Sequence, residues 1–360
     1  MQKKFLISIF ILLNLFYAVS SDARDINVVF LNPGHPSSNA TGSFWANVTG
    51  FMEAAADDVN INLVTIYAYR NHVLMKSLAQ QVIEQKPEYV ILVNEKGIAL
   101  NIFREIAAHN IPVFMLLNTL TEAEYNLLST RERNLLIGSV TPDNYLVGRK
   151  LGNDLVNVYL ERKHHNESDK MINFLALQGD HTTPAATERE RGLLDALKGH
   201  QNINIIDSSV ANWSRQQSYQ KVKGILQRSR IDIIWTANDA MAFGAKQAVI
   251  EAPINYQPII GGVNWDISAE GYVVDISYGG HVALGAYAIT MLKDIDEGKF
   301  TTTEKHQVID IFESSRSKYF SLFKTLLNTQ QLSRYDFTRF RQSSLSSMNF
   351  SIANMLHTLN

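Results

Sequence analysis

Aromatic, amide and basic side chains stand near the ends of apolar runs throughout this sequence. Two of them, Phe44 and Trp45, open the helical pattern "FWANVTGFMEAAADD". The others are Asn94, Asn118, Arg189, Trp213, Asn238, Asn264 and His281. Amides bond hydroxyl groups, and aromatic faces cover C–H surfaces. We therefore predict that these residues form the binding site of a small, hydroxyl-rich molecule.

Catalysis is the alternative to ligand binding, because His281 and the pair His164-His165 are general-base candidates. The sequence has no G-x-S-x-G, no H-E-x-x-H and no G-x-G-x-x-G phosphate loop. His164 and His165 lie in a charged stretch that is typical of a solvated loop. We predict a protein that is not an enzyme and needs no cofactor or metal, and an exported hydrolase is the remote alternative.

The elements that must position these residues follow an alternating pattern. Apolar runs of consecutive residues predict strands at 26–32, 61–68, 89–94, 111–118, 171–177, 203–208, 231–236 and 257–263, with helical patterns between them. Such runs are typical of parallel strands buried on both faces. Ligands meet a parallel sheet at the carboxyl ends of its strands. We expect an α/β protein of two doubly wound lobes joined by a three-stranded hinge, with the ligand in the cleft.

Composition and the N-terminus limit where the protein works. The net charge of -2 gives no reason to expect nucleic acid. "MQKK" followed by "FLISIFILLNLFYAV" predicts a signal peptide over residues 1–23 and export to the periplasm, with an uncleaved anchor as the alternative. No cysteine occurs, which excludes thiolate metal sites and lipid attachment through cysteine. We expect residues 24–139 plus 279–308 to form the first lobe, and 140–278 plus 309–360 the second lobe and a tail.

Two motifs make the chain resemble the type I periplasmic binding proteins, a family that includes ribose, galactose and autoinducer-2 receptors. "RERGLLDAL" from Arg189 matches the family's Arg-x-x-Gly-Phe-x-x-Ala-Leu, and "IDIIWTANDAMAFGAKQAV" matches its strand with Asn-Asp-x-Met-Ala. The family also places paired aromatics where Phe44 and Trp45 stand. The resemblance covers about residues 25 to 315. It implies that Arg189 and Asn238 bond the ligand and that Trp45 and Trp213 enclose it.

The chain departs from the sugar binders of this family at three places. Leu117-Asn118 replaces their Asp-Arg pair, Asn264 replaces an aspartate, and His281 stands in "YGGH" where they carry a glutamine-bearing loop. Two contacts that could carry charge are thus amides, which argues against a standard pentose or hexose. Arg189 is the one arginine that the pattern places at the site.

Several site residues have a structural alternative. Phe44 falls on the apolar stripe of its helix and is expected mainly in the core, whereas Trp45 is expected to face the cleft. Asn238 either bonds the ligand or caps its helix, a task that Asp239 could also perform. Asn94 and Asn118 are equally suited to turns.

The resemblance implies a monomeric solute-binding protein that delivers a sugar-like ligand to a membrane permease of the ATP-driven importer class. The alternative is a sensory protein that presents a sugar-like or autoinducer-type signal to a membrane receptor. Both are binding functions, and both require the lobes to close on the ligand.

Overall fold

The computed structural model describes residues 26–162, 171–300, 303–344 and 347–359. The predicted signal peptide and the His164-His165 loop lie outside these residues. Within these ranges, no helix is both long and apolar enough to cross a membrane.

The first lobe is built on a six-stranded sheet. With all strands numbered in chain order, it contains β1 (Ile26–Asn32), β2 (Ile61–Tyr67), β3 (Tyr89–Leu92), β4 (Val113–Leu116), β5 (Leu136–Pro142) and β11 (His306–Ile309). The spatial order is β11-β5-β4-β3-β1-β2, and every pairing is parallel. Its helices are α1 (Phe44–Val59), α2 (His72–Glu84), α3 (Ala99–Ala108), α4 (Glu122–Asn126), α5 (Thr130–Leu135) and α10 (Leu284–Asp296). Apolar clusters cover both faces of the sheet, as the continuous apolar runs predict.

The second lobe repeats this plan. Its strands are β6 (Ile172–Gln178), β7 (Ile203–Val210), β8 (Ile233–Thr236), β9 (Ile259–Val263), β10 (Ile276–Gly279) and β12 (Glu313–Ser314). They stand in the order β12-β10-β9-β8-β6-β7, with only β12 antiparallel to its neighbour among the described strands. The helices are α6 (Asn144–Arg162), α7 (Pro184–Leu197), α8 (Arg215–Leu226) and α9 (Asp239–Glu251). The predicted class of two doubly wound α/β lobes is confirmed.

The chain passes between the lobes three times: between β5 and α6, between β10 and the 3-10 turn His281–Ala283, and between β11 and β12. Hydrogen bonds also join the lobes across the cleft. The Ala185 amide donates to Asn118 Oδ1 at 2.9 Å, and the Lys96 amide donates to Thr183 Oγ1 at 3.2 Å. The lobes are therefore closed on each other.

The C-terminal tail packs on the first lobe. Its helices α11 (Phe320–Asn328) and α12 (Ile352–His357) belong to the apolar cluster of the first lobe, where Phe323 stacks on Phe51 at 5.6 Å. The sequence predicted a second lobe and a tail within 309–360 without indicating which lobe the tail packs on. The physical reason for its place on the first lobe is that the outer faces of α1 and α10 are apolar and the tail covers them, a pairing that sequence order does not specify. Phe320 and Phe323 also contact Trp265, so α11 touches the second lobe as well.

Candidate ligand-binding site

A cavity lies between the carboxyl edges of the two sheets. Eight of the nine predicted residues line it, and Asn94 is the exception. The lining comprises Thr41, Phe44, Trp45, Arg70, Glu95, Leu117, Asn118, Pro142, Asn144, Thr183, Ala185, Arg189, Trp213, Asn238, Asn264 and His281. Both lobes and the hinge contribute, so the cavity exists only when the lobes meet.

Two tryptophans are seated in the same way, one in each lobe. The ring of Trp45 lies on Gly34, just after β1, so close that a Cβ on Gly34 would be 2.2 Å from Trp45 Cβ. In the second lobe Trp213 lies on Gly179, just after β6, where an added Cβ would be 2.3 Å from Trp213 Cζ2. Glycine is required at both positions because any side chain would displace the indole. The repeated plan of the lobes thus brings one indole from each lobe to the cavity.

Phe44 belongs to the core and to the cavity wall at once. It packs against the first-lobe cluster, as predicted, and its ring lies 4.8 Å from that of His281. Phe312 covers another side of the same imidazole at 4.4 Å. The buried imidazole therefore sits among aromatic rings at the hinge, and burial together with Arg189 lowers the pKa of His281 well below its usual value. His281 is neutral at physiological pH.

Arg189 enters the cavity from α7 and is almost completely buried. Its Nε donates to Asn144 Oδ1 at 2.9 Å, one terminal nitrogen donates to the Ala237 carbonyl at 2.7 Å, and the other lies 3.3 Å from His281 Nε2. Because Arg189 can only donate, His281 Nε2 must accept and its proton resides on Nδ1. The helix packs tightly here, since a Cβ on Gly192 would be 2.0 Å from the Tyr145 carbonyl oxygen. This close approach of α7 to α6 explains the glycine in the motif.

The position of Asn238 is compatible with both of its predicted roles. It caps α9, accepting from the Met241 amide at 3.0 Å, and it also lines the cavity. Asp239 does not cap the helix. Its Oδ2 accepts from the Asp266 amide and the Ser277 hydroxyl at 2.9 Å and 2.7 Å. Burial and neighbouring Asp266 raise the pKa of Asp239 to about 7.

Asn94 does not reach the cavity. Its Oδ1 accepts from the Ala99 amide at 3.2 Å at the start of α3, and its Nδ2 donates to the Thr119 carbonyl and to Glu124 Oε2. The side chain joins three segments of the first lobe, and these bonds occupy both its oxygen and its NH₂ group. These contacts fit the alternative role of Asn94 as a structural residue at a strand end.

An ion pair that the sequence did not single out stands beside it. Glu95 Oε1 lies 2.8 Å from a terminal nitrogen of Arg70, and both residues line the cavity. Burial raises the pKa of Glu95, and Arg70 opposes that shift. Their positions after β2 and β3 were the available signal, because both stand at carboxyl ends of parallel strands. The expectation of Arg189 as the single arginine at the site is thus corrected.

Unusual backbone conformations gather around the cavity. Arg70, Leu117, Trp213 and Asn264 have φ values of 59°, 64°, 59° and 135°, which lie in or beyond the left-handed region. Non-glycine residues rarely adopt such angles, and they cluster where a fold holds side chains for function. These four residues come from the ends of four different strands.

The groups at this site can bind but lack a catalytic arrangement. The neutral His281 has Arg189 as its one side-chain hydrogen-bond partner in the described part of the chain, and no hydroxyl nucleophile contacts it there. Among the described residues, no three His, Asp or Glu side chains are grouped so that they could hold a metal ion. Two indoles, one from each lobe, together with several amides and buried charges, suit recognition of a polar solute.

A cavity enclosed by two hinged α/β lobes defines the class of two-lobed binding proteins. A model of the periplasmic binding protein domain matches residues 36–299, so the chain belongs to this family. The resemblance to type I periplasmic binding proteins is confirmed.

Three comparisons place the chain within that family. It is 27% identical to the galactofuranose-binding protein YtfQ of Escherichia coli K12 over 155 residues, which are 42% of this chain and 44% of that protein. The match thus spans less than half of that relative. A periplasmic sugar-binding protein from Pseudomonas fluorescens superposes with a TM-score of 0.77 at 27% identity, over 92% of this chain and 99% of that one. The fructose-binding periplasmic domain of a hybrid two-component system superposes with a TM-score of 0.67 at 20% identity, over 86% and 95%, which shows a shared fold alone.

Proposed function

We propose that this protein is an exported sugar-binding protein that closes its lobes around a small, hydroxyl-rich ligand. The observation that carries the proposal is the closed cavity in which Trp45 and Trp213 come from opposite lobes and Arg189 stands between polar amides. Indoles cover the C–H faces of a sugar ring, while amides and guanidinium groups bond its hydroxyls.

Closure is a hinge motion in this proposal. The ligand contacts both lobes only in the closed state, so it favours that state by its differential affinity. The direct bonds from Ala185 to Asn118 and from Lys96 to Thr183 stabilise the closed arrangement further. A partner that recognises both lobes together would then distinguish loaded from empty protein.

The partner we propose is a membrane permease of the ATP-driven importer class. The family to which the chain belongs and its sugar-binding relatives support this. A membrane sensor is the second candidate, supported by the occurrence of the same fold in a two-component system. Co-purification from solubilised membranes of the native organism separates them, since a permease with its ATPase is expected for transport and a receptor for signalling.

Binding itself is tested by native mass spectrometry of the purified protein and by a melting-temperature screen of sugars and polyols. A ligand present at about 100 times its Kd adds about 2.7 kcal/mol of stability, so a shift of about 5 °C or more is expected. Trp213→Ala should reduce the shift to about a third at the same ligand concentration, and Asn94→Ala, at the same edge but outside the cavity, should keep it. No retained compound and no shift with any sugar would contradict the proposed function.

A further inference from the structure

The two arginines of the cavity differ in how their charges are matched. Arg70 is ion-paired with Glu95, whereas Arg189 has no carboxylate in ion-pair contact among the described residues. Asp239 acts on Arg189 only from a greater distance, and its own Oδ2 is held by Asp266 and Ser277. A buried ion without a paired counter-charge is unfavourable. The protein thus maintains an unneutralised guanidinium at the cavity wall.

Hydrogen-bond capacity shows the same imbalance. A guanidinium has five N–H groups, and the contacts to Asn144, Ala237 and His281 use three of those on Arg189. Asn118 uses its oxygen to accept from Ala185, which leaves its NH₂ group with no acceptor in the described part of the chain. Arg189 and Asn118 therefore face the cavity with unused donors.

Each acceptor in contact with Arg189 already takes a hydrogen bond from its guanidinium. The Ala237 carbonyl accepts from Arg189, and the oxygen of Asn144 does so too. His281 Nε2 faces the same guanidinium, and its Nδ1 carries a proton rather than a lone pair. A sugar hydroxyl bound here could accept from Arg189 but would bring a proton of its own that needs an acceptor. A carboxylate only accepts, and it pairs with guanidinium through two parallel bonds.

We propose that the cavity binds a sugar acid, a hydroxyl-bearing chain or ring with one carboxylate, and that the carboxylate accepts the free N–H groups of Arg189. This inference rests on the proposed sugar-binding function and specifies its ligand class. One unpaired guanidinium matches one negative charge. The indoles and the Arg70–Glu95 pair then serve the hydroxyl-bearing part of the molecule.

Matched pairs of compounds test the ligand class in the native sequence. Isothermal titration calorimetry would compare D-galacturonate with D-galactose, D-ribonate with D-ribose, and D-gluconate with D-glucitol. The expected result is that at least one acid binds 100-fold more tightly than its neutral partner. Neutral compounds that bind as tightly as the acids, or more tightly, would overturn the sugar-acid proposal and retain the sugar-binding function. If no sugar, polyol or sugar acid binds, both proposals fail.

A variant pair tests the role of Arg189. Arg189→Gln keeps hydrogen-bonding groups but removes the charge, and it is expected to weaken binding of the preferred acid at least 100-fold and of its neutral partner less than 10-fold. Arg191→Gln is the matched control, since Arg191 is two residues along the same helix, exposed, and paired with Glu188. It should change neither affinity. An equal loss for acid and neutral compound in Arg189→Gln would overturn the assignment. Should that variant not fold, the comparison of compounds on the native protein decides alone.

Discussion

The two halves of the cavity differ in whether their buried arginine is paired with an acid. In the first lobe, Arg70 and Glu95 form a pair that is complete within one lobe. In the second lobe, Arg189 has no paired acid among the described residues, while Asp239 and Asp266 lie behind the cavity with Lys324, which the C-terminal tail supplies. Burial raises the pKa of both carboxyls and lowers that of the lysine. The charges of the first half are thus paired within that lobe. Those of the second half depend on Lys324 of the tail and, as we propose, on the ligand.

The largest expected effect is a pH dependence of the free energy of unfolding, and it arises from Asp239 in the second lobe. Asp239 has a folded pKa of about 7, above its unfolded value, so its protonation stabilises the folded state below pH 4 and that contribution is lost as pH rises through 7. In Asp239→Asn the contribution cannot titrate. The free energy of unfolding of the native protein, minus that of the variant, should fall by on the order of 3 kcal/mol between pH 4 and pH 8. Urea unfolding across this range measures it, and parallel curves would contradict it.

In the first half, the expected effect follows from the loss of one partner of the Arg70–Glu95 ion pair. Glu95→Gln leaves the Arg70 guanidinium, which is largely buried, without its acid. We expect a loss of about 2 kcal/mol in the free energy of unfolding, because breaking a buried pair strands a charge. The double variant Glu95→Gln with Arg70→Met should regain part of that loss by urea unfolding. If the single and double variants are equally unstable, the two residues are not coupled.

The indoles allow a direct comparison of the lobes. Trp213 donates from Nε1 to Asp180 Oδ2 at 2.8 Å and is oriented by that bond, whereas no acceptor for Trp45 Nε1 occurs among the described residues. We expect Trp213→Ala to weaken binding of the compound identified in the sugar screen about 30-fold and Trp45→Ala about 10-fold. Calorimetric titration of both variants checks the order. A larger loss for Trp45 would make the first lobe the main aromatic platform.

The smallest expected effect concerns Asn94, which lies at the edge of the first sheet but outside the cavity. Asn94→Ala removes the bond to the Ala99 amide at the start of α3 and should cost about 1 kcal/mol of stability. Ligand affinity should stay within about twofold, because Asn94 does not line the cavity. A substantial loss of affinity at unchanged stability would indicate that Asn94 does take part in ligand binding.

Site residues were predictable where strand position and motif agreed. Arg189, Trp213, Asn238 and Asn264 stand after second-lobe strands, and all four line the cavity. The same reasoning selected Asn94 rather than its neighbour Glu95. Adjacent residues at a strand end point to different sides, and a local turn decides which one faces the cleft. Sequence alone does not reveal that turn.

The repeated order of buried strands and helices was determined by the sequence, because continuous apolar runs can be covered only by helices on both faces of a parallel sheet. Only the tertiary structure decided that the tail packs on the first lobe, where Phe323 meets Phe51. It alone also showed that Arg70 has an acid partner, whereas Arg189 has none in the part of the chain that the structure describes. Ion pairing between residues distant in the chain depends on how the lobes fold and close, and no local pattern encodes it.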